Sequence, residues 1–135
     1  MPEHTKLLKG IMMLLLYRVF GFLYLLSGLW CVFQLELVAG FVGYELLAEI
    51  GESEFFSVYG GLQVGIGMAM LMTSLKTEYL EAGVYFSAIF SSFLSFFRIS
   101  SFVVYGFVES FVLILVLEVF IGAVLWGIWF KIKNE

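Results

Sequence analysis

The chain has 135 residues, of which 62% are hydrophobic and 13% are charged, and its formal net charge is −4. Soluble domains are typically about 45–50% apolar and about 25% charged, so this composition indicates that lipid surrounds much of the surface. No basic run is present, which excludes a nucleic-acid-binding surface. The length fits a single domain covering residues 1–135.

Side chains for catalysis and metal binding are scarce. The sequence contains one cysteine (Cys31), one histidine (His4) and no aspartate. A single thiol cannot form an internal disulfide or a dithiol pair, and this inventory cannot assemble a metal cluster or a Ser-His-Asp triad. We therefore expect no catalytic residue, no metal site and no cofactor, and we predict that the protein is not an enzyme.

Four apolar segments are long enough to cross a bilayer, because its hydrocarbon core requires about 20 residues of helix. In chain order they cover about residues 10–33, 55–75, 80–102 and 109–130, with an outer loop over 34–54. The sequence thus predicts an all-α polytopic membrane protein whose four transmembrane helices form an antiparallel bundle.

The lysines predict the orientation in the membrane. All five lie in segments that a four-span topology places on one side, namely Lys6, Lys9, Lys76, Lys131 and Lys133. The opposite side receives the loop 34–54 and the turn 103–108, which contain neither lysine nor arginine. Because positive charge stays on the cytoplasmic side, both termini are expected in the cytoplasm.

The predicted outer loop is acidic. Its carboxylates are Glu36, Glu45, Glu49, Glu52 and Glu54. Apolar residues at positions 38, 41, 42, 46 and 50 approximate helical spacing, so part of the segment is expected to lie as a helix along the outer membrane surface. The carboxylates are interpreted either as a solvated surface or as a docking surface for a partner.

Charged side chains within the spans require an explanation, since a centred charge costs about 2.5–3.5 kcal/mol on insertion scales. We predict a buried cluster in which Glu118 is flanked by Arg18 and Arg98, with Gln63 as a neutral partner. Glu109 is expected at the outer surface instead, on the opposite helix face. The cluster is interpreted either as a joint between helices or as a site for a ligand or ion.

Small and polar residues mark a packing face on three of the spans. The aligned residues are Arg18, Gly21, Leu25 and Gly28 in the first span, Gly60, Gln63, Gly67 and Ser74 in the second, and Ser87, Ser91, Ser95 and Arg98 in the third. Gly61 and Gly65 also repeat at a helical spacing, but this match is weak in a chain with 14 glycines. Trp126, Trp129 and Tyr79 are expected to be interfacial anchors.

A motif at the start of the second span resembles a family of small bacterial membrane proteins. The motif is Tyr59-Gly60-Gly61-Leu62-Gln63-Val64-Gly65, followed at a distance by Arg98, Ser101, Gly106 and Glu118. The family is catalogued as domain of unknown function 4345, and its architecture is similar to that of DoxX-like four-helix proteins. The resemblance covers about residues 53–130 and implies the fold without an activity.

The chain departs from the family pattern at two positions. Phe56 stands where the family often has an arginine, and Gln63 stands where it often has a glutamate. The two positions are seven apart and would share a face of a regular α-helix. Alongside the four cluster residues we take Tyr59, Ser91, Ser95 and Ser101 as supporting residues.

Two functions fit these features, whereas a third, a membrane enzyme acting on a quinone or lipid, would lack a nucleophile, a metal set and a thiol pair. The first is an accessory or scaffold subunit of a membrane assembly, without catalytic equipment. The second is a small-molecule, lipid or ion binding or transport protein that uses Arg18, Gln63, Arg98 and Glu118. The expected partners are membrane lipids, together with other membrane subunits or further copies of the chain.

Overall fold

The structure is a computed structural model that describes residues 3–134, with the side chains of residues 3–6 excepted, so those of His4 and Lys6 lie outside it. The helices in chain order are α1 (Glu3–Phe33), α2 (Leu35–Phe41), α3 (Ala48–Glu54), a π-helical segment (Phe55–Gly61), α4 (Leu62–Thr73), α5 (Thr77–Tyr105), a 3-10 turn (Glu109–Phe111) and α6 (Val112–Asn134).

Four of the helical segments are long and apolar enough to cross a membrane. They are Leu7–Phe33, Ala48–Thr73, Thr77–Tyr105 and Glu109–Asn134. Residues 3–134 contain no β-strand. The prediction of an all-α membrane protein with four transmembrane helices is therefore confirmed.

The second long helix begins seven residues before the predicted position 55, because α3 runs directly into the π-helical segment and α4. Ala48 has a φ of 59°. This left-handed conformation prevents α3 from extending as a regular helix towards α2. Glu49, Glu52 and Glu54 are exposed on the added turns, so much of the predicted outer loop is helical.

The π-helical segment changes which side chains share a face. The backbone N–H of Leu62 donates to the carbonyl oxygen of Ser57, five residues earlier, so the helix is wider here than a regular α-helix. Phe56 is 48% exposed, whereas Gln63 is half-buried. The expectation that positions 56 and 63 share one helix face assumed a regular α-helix, and the π-helical segment between them does not have that geometry.

The chain divides into two compact units, and the first covers Met1–Met72. In this unit α1 packs antiparallel against α4 and the π-helical segment through glycines. A methyl group on Gly28 would lie 2.6 Å from the backbone nitrogen of Val64, and one on Gly67 would lie 2.7 Å from the carbonyl oxygen of Gly21. Only glycine permits so close an approach of two backbones.

A small core lies beside these helices in the first unit, at the end that carries α2 and α3. Its buried residues are Cys31, Val38, Ala39 and Phe55. The Phe55 and Tyr59 rings stack with centroids 4.6 Å apart. The hydroxyls of Tyr44 and Tyr59 form a hydrogen bond of 2.5 Å, which ties the α2–α3 connection to the π-helical segment.

The second unit, Thr73–Glu135, is a hairpin of α5 and α6. Gly106 ends α5 with a φ of 94°, a conformation that side chains disfavour, and the 3-10 turn leads into α6. Buried apolar residues line both helices, with Val84 and Ala88 on α5 and Leu125 and Ile128 on α6. This hairpin positions the polar residues described next.

Candidate functional site

Arg98 and Glu118 form a bidentate ion pair across the α5–α6 hairpin. The Arg98 Nε donates to Glu118 Oε2 at 2.6 Å, and Nη2 donates to Oε1 at 2.6 Å. The flat guanidinium matches the two carboxylate oxygens, which makes this the strongest geometry for such a pair. The structure thus brings together two of the four predicted cluster residues.

The pair is largely enclosed by protein. The Arg98 and Glu118 side chains are 22% and 10% exposed. The guanidinium also lies over the Phe111 ring, with its carbon 5.4 Å from the ring centre. In surroundings of low dielectric constant the attraction between the two charges is stronger than in water, and so is the cost of separating them.

Ser101 fixes the backbone on which Arg98 sits. Its hydroxyl, half-buried on the next turn of α5, donates to the Arg98 carbonyl oxygen at 2.7 Å. Ser101, which the resemblance indicated as a supporting residue, therefore contacts the backbone of Arg98 directly.

The serines of α5 differ in how their hydroxyls are used. Five donate to a carbonyl oxygen earlier in the same helix, namely Ser87, Ser92, Ser95, Ser100 and Ser101. Ser91 is the exception, since its residue is 1% exposed and its Oγ has no hydrogen-bond partner within the described part of the chain. A buried hydroxyl without a partner is costly and requires a reason.

A second polar contact joins α5 to α6 and was not predicted from the sequence. The indole N–H of Trp126 donates to the Ser92 Oγ at 2.8 Å. Ser92 lies one position outside the predicted serine face, and Trp126 was expected only as an interfacial anchor. The signal for this contact was a tryptophan in the last third of the fourth span, whose N–H needs an acceptor within the membrane.

Three of the predicted site residues belong to the first unit. Arg18 is half-buried on α1, Gln63 is half-buried on α4, and Tyr59 contacts Tyr44 and Phe55. Their association with the Arg98–Glu118 pair stays a prediction.

The chemistry open to this hairpin follows from its groups. The ion pair is neutral as a whole, and both carboxylate oxygens are occupied by one guanidinium. Ser91 adds one hydroxyl that can donate and accept. Among the side chains of residues 7–134, no three His, Cys, Asp or Glu are grouped so as to hold a metal ion.

The resemblance to domain of unknown function 4345 rests on the quoted residues and stays a prediction. No protein-family model, curated protein or solved structure matches the chain.

Proposed function

We propose that this protein is an accessory or scaffold subunit of a membrane assembly in a bacterial inner membrane. The observation that supports this role most is the closed Arg98–Glu118 pair. Both charges satisfy each other across α5 and α6, so the pair joins two transmembrane helices without a group from outside.

An anionic ligand would meet a strong competitor in this hairpin. To bind the guanidinium in the same bidentate manner it would have to displace Glu118, which already occupies Nε and Nη2 at 2.6 Å. Displacement would leave a carboxylate within the membrane without its cation, and this is costly. The geometry therefore favours a structural role for the pair over recognition of an anion.

The proposed topology places both termini in the cytoplasm. It is supported by the sequence positions of Lys9, Lys76, Lys131 and Lys133, which a four-span topology assigns to the side where positive charge is retained. The α2 and α3 helices, with their exposed glutamates, then lie on the outer side, where they offer an acidic surface to a partner.

Cysteine labelling in intact spheroplasts tests this topology. Cys31, the only native thiol, is first replaced by alanine. A membrane-impermeant maleimide is expected to label Glu49→Cys, because this residue of α3 is exposed and the proposed topology assigns it to the outer side. Asn134→Cys is exposed at the end of α6 and is expected to react only after the cells are lysed. The reverse pattern would contradict the proposed orientation.

Native mass spectrometry tests the accessory role. We expect the protein, when extracted from its own membrane in a mild detergent, to carry one or more other polypeptides at a fixed stoichiometry. The double variant Glu49→Gln with Glu52→Gln neutralises two exposed carboxylates of α3. It tests whether the acidic outer surface binds these polypeptides. Recovery of the protein alone, with a bound small mass and no other polypeptide, would contradict the accessory role.

A binding or transport role is the second candidate, and Ser91 favours it. Its buried hydroxyl offers a hydrogen bond that no described residue of the chain takes up. If a small molecule supplies the acceptor, the molecule is expected to co-purify with the wild type and to be lost in Ser91→Ala. Equal membrane levels of the two proteins serve as the control, because this change removes one oxygen and creates no clash.

A further inference from the structure

Aromatic rings gather at the end of the hairpin where α5 begins and α6 ends. Tyr85 and Trp129 stack with centroids 4.9 Å apart, and Trp126 lies 5.4 Å from Trp129 and 5.8 Å from Phe130. Tryptophan and tyrosine concentrate where the hydrocarbon core meets the lipid headgroups. This aromatic cluster therefore marks the headgroup level of one leaflet.

Lysine ammonium groups lie over rings at the same end. Lys133 Nζ is 5.0 Å from the centre of the Trp129 ring, and Lys76 Nζ is 5.4 Å from the centre of the Tyr79 ring. Lys131 lies two residues before Lys133 on α6. A ring face attracts a cation and limits the positions that a flexible lysine visits.

Within residues 7–134, these lysines form no ion pair with a carboxylate. Glu78 and Glu81 are exposed on the first turns of α5, at the same end. No described glutamate nevertheless forms an ion pair with Lys76, Lys131 or Lys133. The ammonium groups thus keep their charge available to an anion from outside the chain.

We propose that Lys76, Lys131 and Lys133 bind the phosphate of one anionic phospholipid, with its headgroup against the aromatic cluster. The phosphate of a phospholipid is the anion present at this depth. The acyl chains of the same lipid would lie along the apolar surface of the hairpin.

The opposite end of the hairpin provides an internal contrast. Residues 102–108 contain no charged side chain, and the first charged residue after them is Glu109. An anionic headgroup finds no cation there apart from Arg98, whose guanidinium is bound by Glu118. We therefore expect enrichment of the lipid at one end only.

The test uses the full-length protein in phosphatidylcholine nanodiscs that contain a small fraction of phosphatidylglycerol. Tryptophan quenching by brominated phosphatidylglycerol is compared with quenching by brominated phosphatidylcholine at the same mole fraction. An enrichment of about fivefold is expected for the anionic lipid around the wild type, given the strength of lysine–lipid attraction. Equal quenching by the two lipids would overturn the proposal.

Matched variants assign the enrichment to these lysines. Lys76→Gln with Lys133→Gln is expected to abolish it, whereas Lys76→Arg with Lys133→Arg is expected to retain it, because only the second pair keeps both charges. Glu109→Gln, at the other end, is the control that should change nothing. Persistent enrichment in the glutamine variant would overturn the proposal.

A separate measurement distinguishes a lipid headgroup from free phosphate. Inorganic phosphate is added to the wild type in nanodiscs of phosphatidylcholine containing brominated phosphatidylglycerol. If the site binds the lipid, millimolar phosphate is expected to leave the quenching unchanged. Loss of the quenching at this concentration would show that the site prefers a free anion, and would overturn the lipid assignment.

Discussion

Glu118→Gln is expected to lower the free energy of unfolding by about 3 kcal/mol, because it leaves Arg98 charged within the hairpin without its carboxylate. The wild-type pair is bidentate and mostly enclosed, so water compensates little of the loss. Equilibrium unfolding in mixed micelles, followed by tryptophan fluorescence, measures the change. A reduced amount of protein in the membrane is expected to accompany it.

Two further variants separate the ion pair from a general effect of losing a glutamate. Glu109→Gln makes the same change at an exposed position near the start of α6 and is expected to be close to neutral. The exchange Arg98→Glu with Glu118→Arg restores opposite charges and is expected to recover more than half of the loss. Equal destabilisation by Glu118→Gln and Glu109→Gln would contradict a structural joint at Glu118.

Gly67→Ala is expected to destabilise the first unit by about 2 kcal/mol, because the added methyl group overlaps the backbone of α1. Its position would be 2.7 Å from the Gly21 carbonyl oxygen and closer still to the backbone nitrogen of Leu25. Backbone atoms cannot turn aside as a side chain can, so the two helices must separate. The same unfolding measurement applies.

Gly65→Ala is the matched control, two residues away on the same helix. Apart from its chain neighbours and the backbone of its own helix, no atom lies within 4 Å of the position that its methyl group would take. Alanine is the better helix former, so the expected change is neutral to slightly stabilising, by up to about 1 kcal/mol. Similar destabilisation by both substitutions would show that α1 does not pack against α4 through Gly67.

The sequence was sufficient to predict the helix content and much of the packing. Charged residues inside a span need partners, and this requirement predicted that Glu118 would meet Arg98. Helical spacing also selected Gly28 and Gly67 as contact residues. Gly61 and Gly65, whose spacing is a weak match, lie away from the α1 contact, so glycine spacing alone does not identify the contact residues.

Other features of the structure could not be predicted from the sequence. The π-helical segment lies in a run where most residues are apolar, so a change in residues per turn does not alter the apolar pattern. The start of the second long helix at Ala48 could not be predicted, because glutamates such as those of α3 are typical of a loop in water. Ser91 cannot be distinguished from the other serines of α5 by sequence, since its difference is the direction of one hydroxyl.

The most direct test of the accessory role is native mass spectrometry of the charge-exchanged protein, Arg98→Glu with Glu118→Arg, beside the wild type. If the pair serves only to join α5 to α6, the exchanged protein is predicted to insert normally and to carry the same polypeptides as the wild type. If it inserts and resists unfolding like the wild type but has lost a bound small mass, the pair recognises a ligand, and the accessory role is contradicted.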